Sequence, residues 1–278
     1  MPGYTLISNA VPPPLLRQLV VESERLTSAE PEAAHGIRDL LHKSPVEFAP
    51  RSALAPGLAW YEGQPLSKLA LWFDTEPHNA TLNMAIDEAL LEQATLPVLR
   101  IYRWAEPSIS IGYGQKLDAL AADLPPWPIV RRRTGGGAVW HGDDSTYSLI
   151  IPANEKWSNT RPIASYQQLH ESLAQALNAS DHGPCRLATS EDQRAGAACF
   201  KSPALHDIMR ATTKLAGAGQ RRTRHGLLHQ GSLRIADLDD AFWQSFAHSL
   251  ANEVIPWLSL PSHLQQRAAE LAEQRVAL

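Results

Sequence analysis

Cysteine, long apolar runs and an excess of charge of one sign are all scarce in this chain. Only two of the 278 residues are cysteines, which excludes a disulfide framework and a cysteine-based metal site, and we expect a cytoplasmic protein. The formal net charge of −4 argues against general nucleic-acid binding. No apolar run approaches the roughly 20 residues that span a bilayer. The N-terminus has no basic segment before an apolar core, so we expect neither a signal peptide nor a membrane partner.

Length and composition are those of a globular protein with room for a sizeable core. Hydrophobic residues make up 44% of the chain and charged residues 19%, which is typical of a folded domain. Prolines interrupt residues 1–65 repeatedly, and there we expect a short helical N-terminal extension and a proline-rich linker. We expect residues 66–278 to form one large domain.

The periodicity of residues 66–278 predicts more strands than helices. Strands are expected at 66–73, 98–104, 108–113, 207–209, 214–222 and 227–235. Helices are expected after a cap at Asn79 or Thr81, and in the segments that contain Leu173, Phe246 and Ala268. Because most strands follow one another through short turns, the pattern predicts an α+β fold with a large mixed β-sheet and flanking helices.

Three consecutive glycines stand at the centre of the segment VRRRTGGGAVWHGDDSTYSLIIP, residues 130–152. Without Cβ atoms, Gly135–Gly137 can take positive φ and press their N–H groups against a ligand. Arg131–Arg133 precede the glycines and His141 follows them, with apolar β-formers on both sides. The segment therefore predicts a hairpin of strand, glycine loop and strand that holds an anion or a polar head group.

A second group of candidate residues surrounds Lys214. Four small residues, Ala216–Gly219, follow it in the segment KLAGAGQRR. A lysine in an apolar strand is usually an edge-strand feature, but the small residues leave room for a ligand and favour a lysine directed into a site. The segment ACFKSP, which contains Cys199, lies upstream, and LLHQGSL, which contains His229, lies downstream.

The patterns RRxTGGGAVxH and KxxGxxQRR…LxHxGSL, in this order, resemble the lipoate–protein ligase and octanoyltransferase family, whose fold is shared with biotin protein ligases. The resemblance runs from about Leu66 to Leu258 and implies a biotin/lipoate protein ligase-like catalytic domain. It implies a glycine loop that lines an acyl pocket, and a Lys214 that contacts the acyl carboxylate or thioester carbonyl. The implied substrate-binding residues are Arg132, Thr134, Gly135, Gly136, Gly137, Ala138, His141, Gly217, Ala218 and His229. The chain departs from the family's His-Asp pair, because His141 precedes Gly142 and the acidic residues Asp143 and Asp144 are shifted along.

Cys199 is the residue that separates the possible chemistries. Its Ala-Cys-Phe-x-Ser-Pro setting resembles the cysteine loop of octanoyltransferases that use a cysteine upstream of their lysine. A nearby cation favours the thiolate, and Lys214 is the candidate for this role. The resemblance thus implies an acyltransferase that moves an octanoyl or lipoyl group from a carrier thioester through Cys199 to a lysine of a lipoyl domain. Proton transfer would fall to Lys214 or to a histidine, with His141, His206 and His229 as candidates.

The implied partners of such a transferase are acyl-carrier protein and lipoyl-domain proteins, such as glycine cleavage H protein or the E2 subunit of a 2-oxoacid dehydrogenase. It would need no cofactor and no metal. The basic cluster Arg221–His225 suits an acidic protein partner, although a solvated charged face is an equal interpretation.

Two other functions remain open at this stage. An ATP-dependent lipoate–protein ligase would form an acyl-adenylate with ATP and Mg²⁺, the arginines and the glycine loop would serve the nucleotide, and Cys199 would be incidental. Only about seventeen residues follow Pro261, so we expect no C-terminal accessory domain of the kind many such ligases carry. The third possibility is a non-catalytic acyl-binding protein. Octanoate and lipoate are not distinguished by the sequence.

Overall fold

The structure is a computed structural model that describes residues 66–117, 124–193 and 203–275. Its strands are β1 (Leu66–His78), β2 (Val98–Trp104), β3 (Ser108–Ile111), β4 (Ile129–Arg131), β5 (Val139–His141), β6 (Ser145–Pro152), β7 (Arg186–Leu187), β8 (Ile208–Arg210), β9 (Thr213–Thr223), β10 (Gly226–Leu233) and β11 (Ala251–Pro256). Its α-helices are α1 (Ala80–Gln93), α2 (Pro162–Ala179), α3 (Asp240–Leu250) and α4 (Ser262–Glu273). None of the described helices is long and apolar enough to cross a membrane. The extension predicted for residues 1–65 lies outside the described residues.

Eight strands form one mixed sheet in the order β11-β1-β2-β6-β10-β9-β8-β7. Strand β1 pairs in parallel with both β11 and β2, whereas the ladder from β2 through β6, β10, β9 and β8 to β7 is antiparallel. Parallel neighbours need a crossover connection, and α1 supplies it between β1 and β2. The predicted α+β fold with a large mixed sheet and flanking helices is confirmed.

A second, three-stranded sheet has the order β4-β3-β5. The predicted glycine-loop hairpin is wrong, because β4 and β5 do not pair with each other but lie on opposite sides of β3. All four residues of β3 are buried. A fully buried strand suits the centre of a sheet, where a neighbour on each edge pairs with its backbone. The glycine loop therefore crosses the end of β3, where a Cβ on Gly112 would lie 1.9 Å from the carbonyl oxygen of Gly136.

The helices cover both faces of the large sheet. Helix α1 starts at the predicted cap Asn79, whose side chain accepts a hydrogen bond from the Leu82 N–H at 2.8 Å. Apolar residues of α1 and α4 pack together with strand residues such as Ile150 and Leu228. Tyr147 lies three residues before Ile150 on β6 and therefore faces the opposite side of the sheet. There it packs against Phe246 of α3, with 5.8 Å between ring centroids.

Candidate functional site

A cleft opens between the large sheet, the small sheet and α1, and it brings together residues from both predicted motifs. It encloses about 420 Å³ of space that no atom occupies, including the part continuous with solvent. Its lining consists of Met84, Tyr102, Trp104, Ser110, Arg132, Val139, His141, Thr146, Lys214, Gly217, Ala218, Gly219, Gln230, Gly231 and Ser232.

Lys214 is held in this cleft by a buried ion pair. Its Nζ lies 2.6 Å from Oδ2 of Asp207, and the two side chains are only 3% and 1% exposed. The lysine stem crosses over Gly217, where a Cβ would come within 2.5 Å of the Lys214 Cε and 2.6 Å of Nζ. The missing Cβ of Gly217 therefore leaves room for the end of the lysine side chain itself, whereas the sequence analysis assigned this room to a ligand.

Asp207 is itself fixed by two further donors. The Tyr166 hydroxyl donates to its Oδ1 at 2.5 Å, and the Ala204 N–H donates to Oδ2 at 2.6 Å. Burial, followed by the adjacent Asp207 carboxylate, raises the pKa of the Tyr166 hydroxyl well above its ordinary value, so it stays a proton donor. The same hydroxyl accepts a hydrogen bond from the Ala218 N–H at 3.0 Å. Helix α2 thereby connects to the strand that carries Lys214.

The buried side chain of Arg132 holds the glycine loop through hydrogen bonds to its carbonyl oxygens. Its Nη2 donates to the carbonyl oxygens of Gly135 at 2.8 Å and Gly137 at 2.7 Å, while Nη1 donates to the Ser110 carbonyl oxygen at 2.9 Å. The guanidinium thus ties the loop to β3 through a planar fork that lysine does not reproduce. From the other side the loop rests on Gly219, where a Cβ would lie 2.6 Å from the Gly135 carbonyl oxygen.

A buried chain of polar groups connects the loop to the core. Thr134 donates to Oε1 of Gln230 at 2.7 Å, and Nε2 of Gln230 donates to Asp87 at 2.7 Å. Asp87 and Asp74 both pair with the fully buried Arg100 at 2.8 Å. Burial disfavours the charge on Arg100, but the two carboxylates outweigh it and raise its pKa. Because every member has a partner, this network can fix one position of the loop.

His141 forms a second polar group of contacts in the cleft wall. Its Nδ1 lies 2.8 Å from Oδ2 of Asp144 and its Nε2 lies 2.8 Å from Oγ of Ser110. The indole of Trp104 stacks on the imidazole with 4.0 Å between centroids. Burial opposes ionisation of Asp144, but His141 and the donors around the carboxylate outweigh it and lower its pKa. The shifted acidic residue of the sequence therefore faces His141 directly.

Comparison with known proteins assigns the chain to a family. The model of the family described as "Lipoyl protein ligase A/B catalytic domain" matches residues 79–269. The chain belongs to this family. The family resemblance inferred from the two sequence patterns is thus confirmed.

Several relatives carry the name octanoyltransferase LipM. The protein of that name from Oceanobacillus iheyensis is 32% identical over 174 residues, which covers 59% of this chain and 63% of the relative. The protein from Moorella thermoacetica is 36% identical over 182 residues, with 61% and 66% covered. The matched part therefore spans less than two thirds of the length of these relatives.

Solved structures show the same fold. A protein from T. acidophilum with bound lipoic acid superposes with a TM-score of 0.56 at 20% identity, covering 75% of this chain and 95% of that one. A lipoate-protein ligase A bound with ATP gives a TM-score of 0.55 at 20% identity, with the same shares covered. At this level of identity the likeness concerns the fold alone.

Several of the predicted site residues line the cleft of this lipoyl protein ligase A/B domain. Arg132, His141, Lys214, Gly217 and Ala218 are among its lining residues. Thr134 and Ala138 are fully buried and support the loop. Gly136 takes φ 97°, the left-handed conformation for which a glycine is needed. Cys199 lies outside the described residues.

The structure does not bring His229 to the cleft. Its neighbour Gln230 faces the cleft, so His229 faces the opposite side of the sheet. There it is fully buried, with Nε2 3.0 Å from the Tyr147 hydroxyl and Nδ1 3.1 Å from Nε2 of Gln220. His206 is likewise not among the cleft-lining residues, and its carbonyl oxygen contacts Nδ1 of His170 at 2.7 Å.

The side chains of the arginine run 131–133 bind acceptor groups of the protein itself. Arg131 donates to the carbonyl oxygens of Gly112 at 3.1 Å, Tyr113 at 3.2 Å and Gln115 at 2.6 Å. Arg133 pairs with Glu88 at 2.5 Å. Together with the contacts of Arg132, these bonds give the run a role in bracing the glycine loop and its surroundings.

Sequence reasoning missed the partners of the predicted residues. Asp207 was assigned only to a strand, although its place seven residues before Lys214 suits two strands joined by a tight turn, which is how β8 and β9 pair. Gln230 carries no signal of its own in the sequence, and only the register of β10 shows that it, and not its neighbour His229, faces the cleft. Ser110 belongs to no motif, and Asp144 stands out in the sequence only as an acidic residue shifted from the family's His-Asp pair; the folded chain places both beside His141.

Proposed function

We propose that the chain is an acyltransferase of protein lipoylation that moves an octanoyl or lipoyl group from a carrier thioester through Cys199 to a lysine of a lipoyl domain. The observation that carries this proposal is the buried ammonium of Lys214, held by Asp207 in a cleft beside the glycine loop. Family membership and relatives named octanoyltransferase support it. The donor would be an acyl-carrier protein.

The first step transfers the acyl group to the enzyme. The Cys199 thiolate attacks the carbonyl carbon of the donor thioester, the tetrahedral oxyanion collapses, and the carrier thiolate leaves. A fixed cation lowers the cost of a thiolate and of an oxyanion, and Lys214 is such a cation because Asp207 and Tyr166 fix its position. Backbone N–H groups near Gly136 are the candidates for further oxyanion contacts.

The second step transfers the acyl group to the target lysine. The neutral amine of a lipoyl domain attacks the acyl-cysteine, an amide bond forms, the Cys199 thiolate leaves and one proton is released from the nitrogen. The released proton passes to a basic group of the cleft or to water. The enzyme returns to its starting state, and no cofactor enters the balance.

The alternative is an ATP-dependent ligase that forms an acyl-adenylate with ATP and Mg²⁺. In that case the arginine run would bind the nucleotide phosphates. Arg131 and Arg132 instead donate to backbone carbonyl oxygens, and Arg133 pairs with Glu88. These contacts favour the transferase, since bracing guanidiniums have fewer N–H groups left to offer a phosphate.

The test is modification of a lipoyl domain, followed by intact mass. With octanoyl-acyl carrier protein as donor and no ATP, the transferase adds one octanoyl group, and the Cys199→Ala and Lys214→Ala variants lose the reaction. Modification that occurs only with free octanoate and ATP would support the ligase. No modification under either condition would support the third hypothesis, a non-catalytic acyl-binding protein.

A further inference from the structure

Three polar side chains of the cleft wall form one hydrogen-bonded line. Ser110 comes from β3, His141 from the end of β5, and Asp144 from the turn before β6. Oγ of Ser110 lies 2.8 Å from Nε2 of His141, and Nδ1 of His141 lies 2.8 Å from Oδ2 of Asp144. Ser110 and His141 both line the cleft, with relative exposures of 2% and 4%.

The direction of the hydrogen bonds follows from the chemistry of the partners. The Asp144 carboxylate takes part in four hydrogen bonds, among them those donated by Thr146 Oγ1 at 3.1 Å and by Ser232 Oγ at 2.5 Å. An ionised carboxylate can only accept hydrogen bonds. Nδ1 of His141 must then carry the proton and donate to Asp144. In the neutral ring Nε2 is left as the basic nitrogen, and the Ser110 hydroxyl donates to it.

The imidazole is held in this orientation from several sides. Trp104 stacks on it at an interplanar angle of 15°, and the indole Nε1 donates to Thr146 Oγ1 at 3.0 Å. On the far side of the serine, Arg132 Nη1 lies 3.2 Å from Ser110 Oγ. A cation beside a hydroxyl stabilises the negative charge that develops when the hydroxyl loses its proton.

A serine hydroxyl, a histidine base and an orienting carboxylate in this order are the parts of a nucleophilic triad, which is recognised by geometry and roles and not by fold or sequence order. A network that served only to join the two sheets would need the same hydrogen bonds, but it would not need a serine that lines the cleft. Ser110, His141 and Asp144 therefore have a geometry that can attack a carbonyl group bound there.

We propose that Ser110, His141 and Asp144 form a second nucleophilic centre, which hydrolyses medium-chain acyl thioesters and esters bound in the cleft. The choice of an acyl substrate rests on the proposed function, but the hydrolysis does not use Cys199. Ser110 Oγ attacks the carbonyl carbon while its proton moves to Nε2 of His141. The leaving thiol takes that proton, and acyl-Ser110 remains. Water, deprotonated by His141, then releases the free acid and restores the serine, so that thioester and water become acid and thiol.

The experiment uses the full chain in a Cys199→Ala background, so that no acyl-cysteine contributes. A fluorophosphonate probe, which loses fluoride when a serine oxygen attacks phosphorus, is added and the labelled peptide is identified by mass spectrometry. In parallel, hydrolysis of octanoyl-coenzyme A is followed by thiol release. We expect one probe adduct on Ser110, and a loss of hydrolysis of about 10²- to 10⁴-fold in Ser110→Ala and Asp144→Asn.

Ser108→Ala is the matched control, since Ser108 lies on the same strand but donates to the Glu106 carbonyl oxygen at 2.9 Å and should leave labelling and hydrolysis unchanged. Absence of a label on Ser110, or hydrolysis that is equal with and without the Ser110 hydroxyl, overturns the proposal. The labelling does not depend on the folding of a Ser110 variant. Failure of acyl transfer to a lipoyl domain with Ser110 still reactive would overturn the transferase alone, so the two failures are distinguishable.

Discussion

Asp207 and Lys214 form a buried ion pair across the turn between β8 and β9, with 2.6 Å between Oδ2 and Nζ. The carboxylate also accepts from Tyr166 and Ala204, so the ammonium is tied to helix α2 as well as to the sheet. Removing one partner of such a pair leaves a charge buried without compensation, which is far more costly than removing a surface pair.

Asp207→Asn is expected to lower the free energy of unfolding by about 3–5 kcal/mol and to reduce acyl transfer. Denaturant unfolding measures the first effect and transfer to a lipoyl domain the second. The matched control is Glu253→Gln, which removes the exposed pair between Glu253 and Lys68 and should change stability by less than about 1 kcal/mol. Equal stability of the two variants would contradict the role assigned to the buried pair.

Gly219→Ala is expected to displace the glycine loop. The added Cβ would lie 2.6 Å from the Gly135 carbonyl oxygen and 2.8 Å from Thr134 Oγ1, and overpacking of this kind costs about 1–3 kcal/mol. We expect a higher KM for the acyl donor, measured in steady-state transfer. Gly114→Ala is the control, because no atom lies within 4 Å of the Cβ it would add. A normal KM in Gly219→Ala would show that the loop does not contact the donor.

Arg132→Lys is expected to loosen the glycine loop even though the charge is kept. A lysine ammonium does not reproduce the fork that holds the Gly135 and Gly137 carbonyl oxygens together with β3. Amide hydrogen exchange of residues 134–138 should become faster, and transfer should slow by about tenfold or more, which corresponds to about 1.4 kcal/mol. Arg133→Lys should have a small effect, since a lysine can still pair with Glu88. Equal exchange in both variants would contradict the bracing role of Arg132.

His170 makes stability depend on pH. Burial lowers its pKa from 6.5 to about 4, so the unfolded chain binds a proton in this range that the folded chain does not. The stability it contributes is complete above pH 6.5 and is lost as pH falls toward 4, by about 1.4 kcal/mol per pH unit. In denaturant unfolding between pH 6.5 and 5, His170→Asn should lose about 1.5 kcal/mol less than the unmodified protein. Parallel losses in the two proteins would refute this assignment. Burial also lowers the pKa of His229, so this histidine adds to the pH dependence of stability in both proteins.

Patterns with a regular period were readable from the sequence. The strand at 98–104 and the helix that Asn79 caps stand where periodicity predicted them. Strand β11 was missed because it follows α3 without a break and only Ala251 and Val254 of its six residues are buried, so no alternation marks it. The pairing of β4 and β5 was wrong because neighbours in sequence suggested a hairpin, whereas the buried β3 occupies the position between them.

Candidate residues such as His141 and Lys214 line the cleft, whereas the sequence did not predict the residues that hold them in place. The glycines after Lys214 were interpreted as room for a ligand, but Gly217 makes room for the lysine side chain and Gly219 for the glycine loop. Partners such as Asp207 and Gln230 act through contacts between strands and across the cleft. Such contacts depend on register, which one sequence does not specify.

The central claim, thioester transfer through Cys199, is tested most directly by the intact mass of the protein after incubation with octanoyl-acyl carrier protein in the absence of ATP. We predict one octanoyl adduct that hydroxylamine removes and that is absent in Cys199→Ala. The same adduct is expected in a Ser110→Ala protein, because the proposed transfer to Cys199 does not use the Ser110 hydroxyl. An unmodified protein, or an adduct that persists in Cys199→Ala, would contradict the claim.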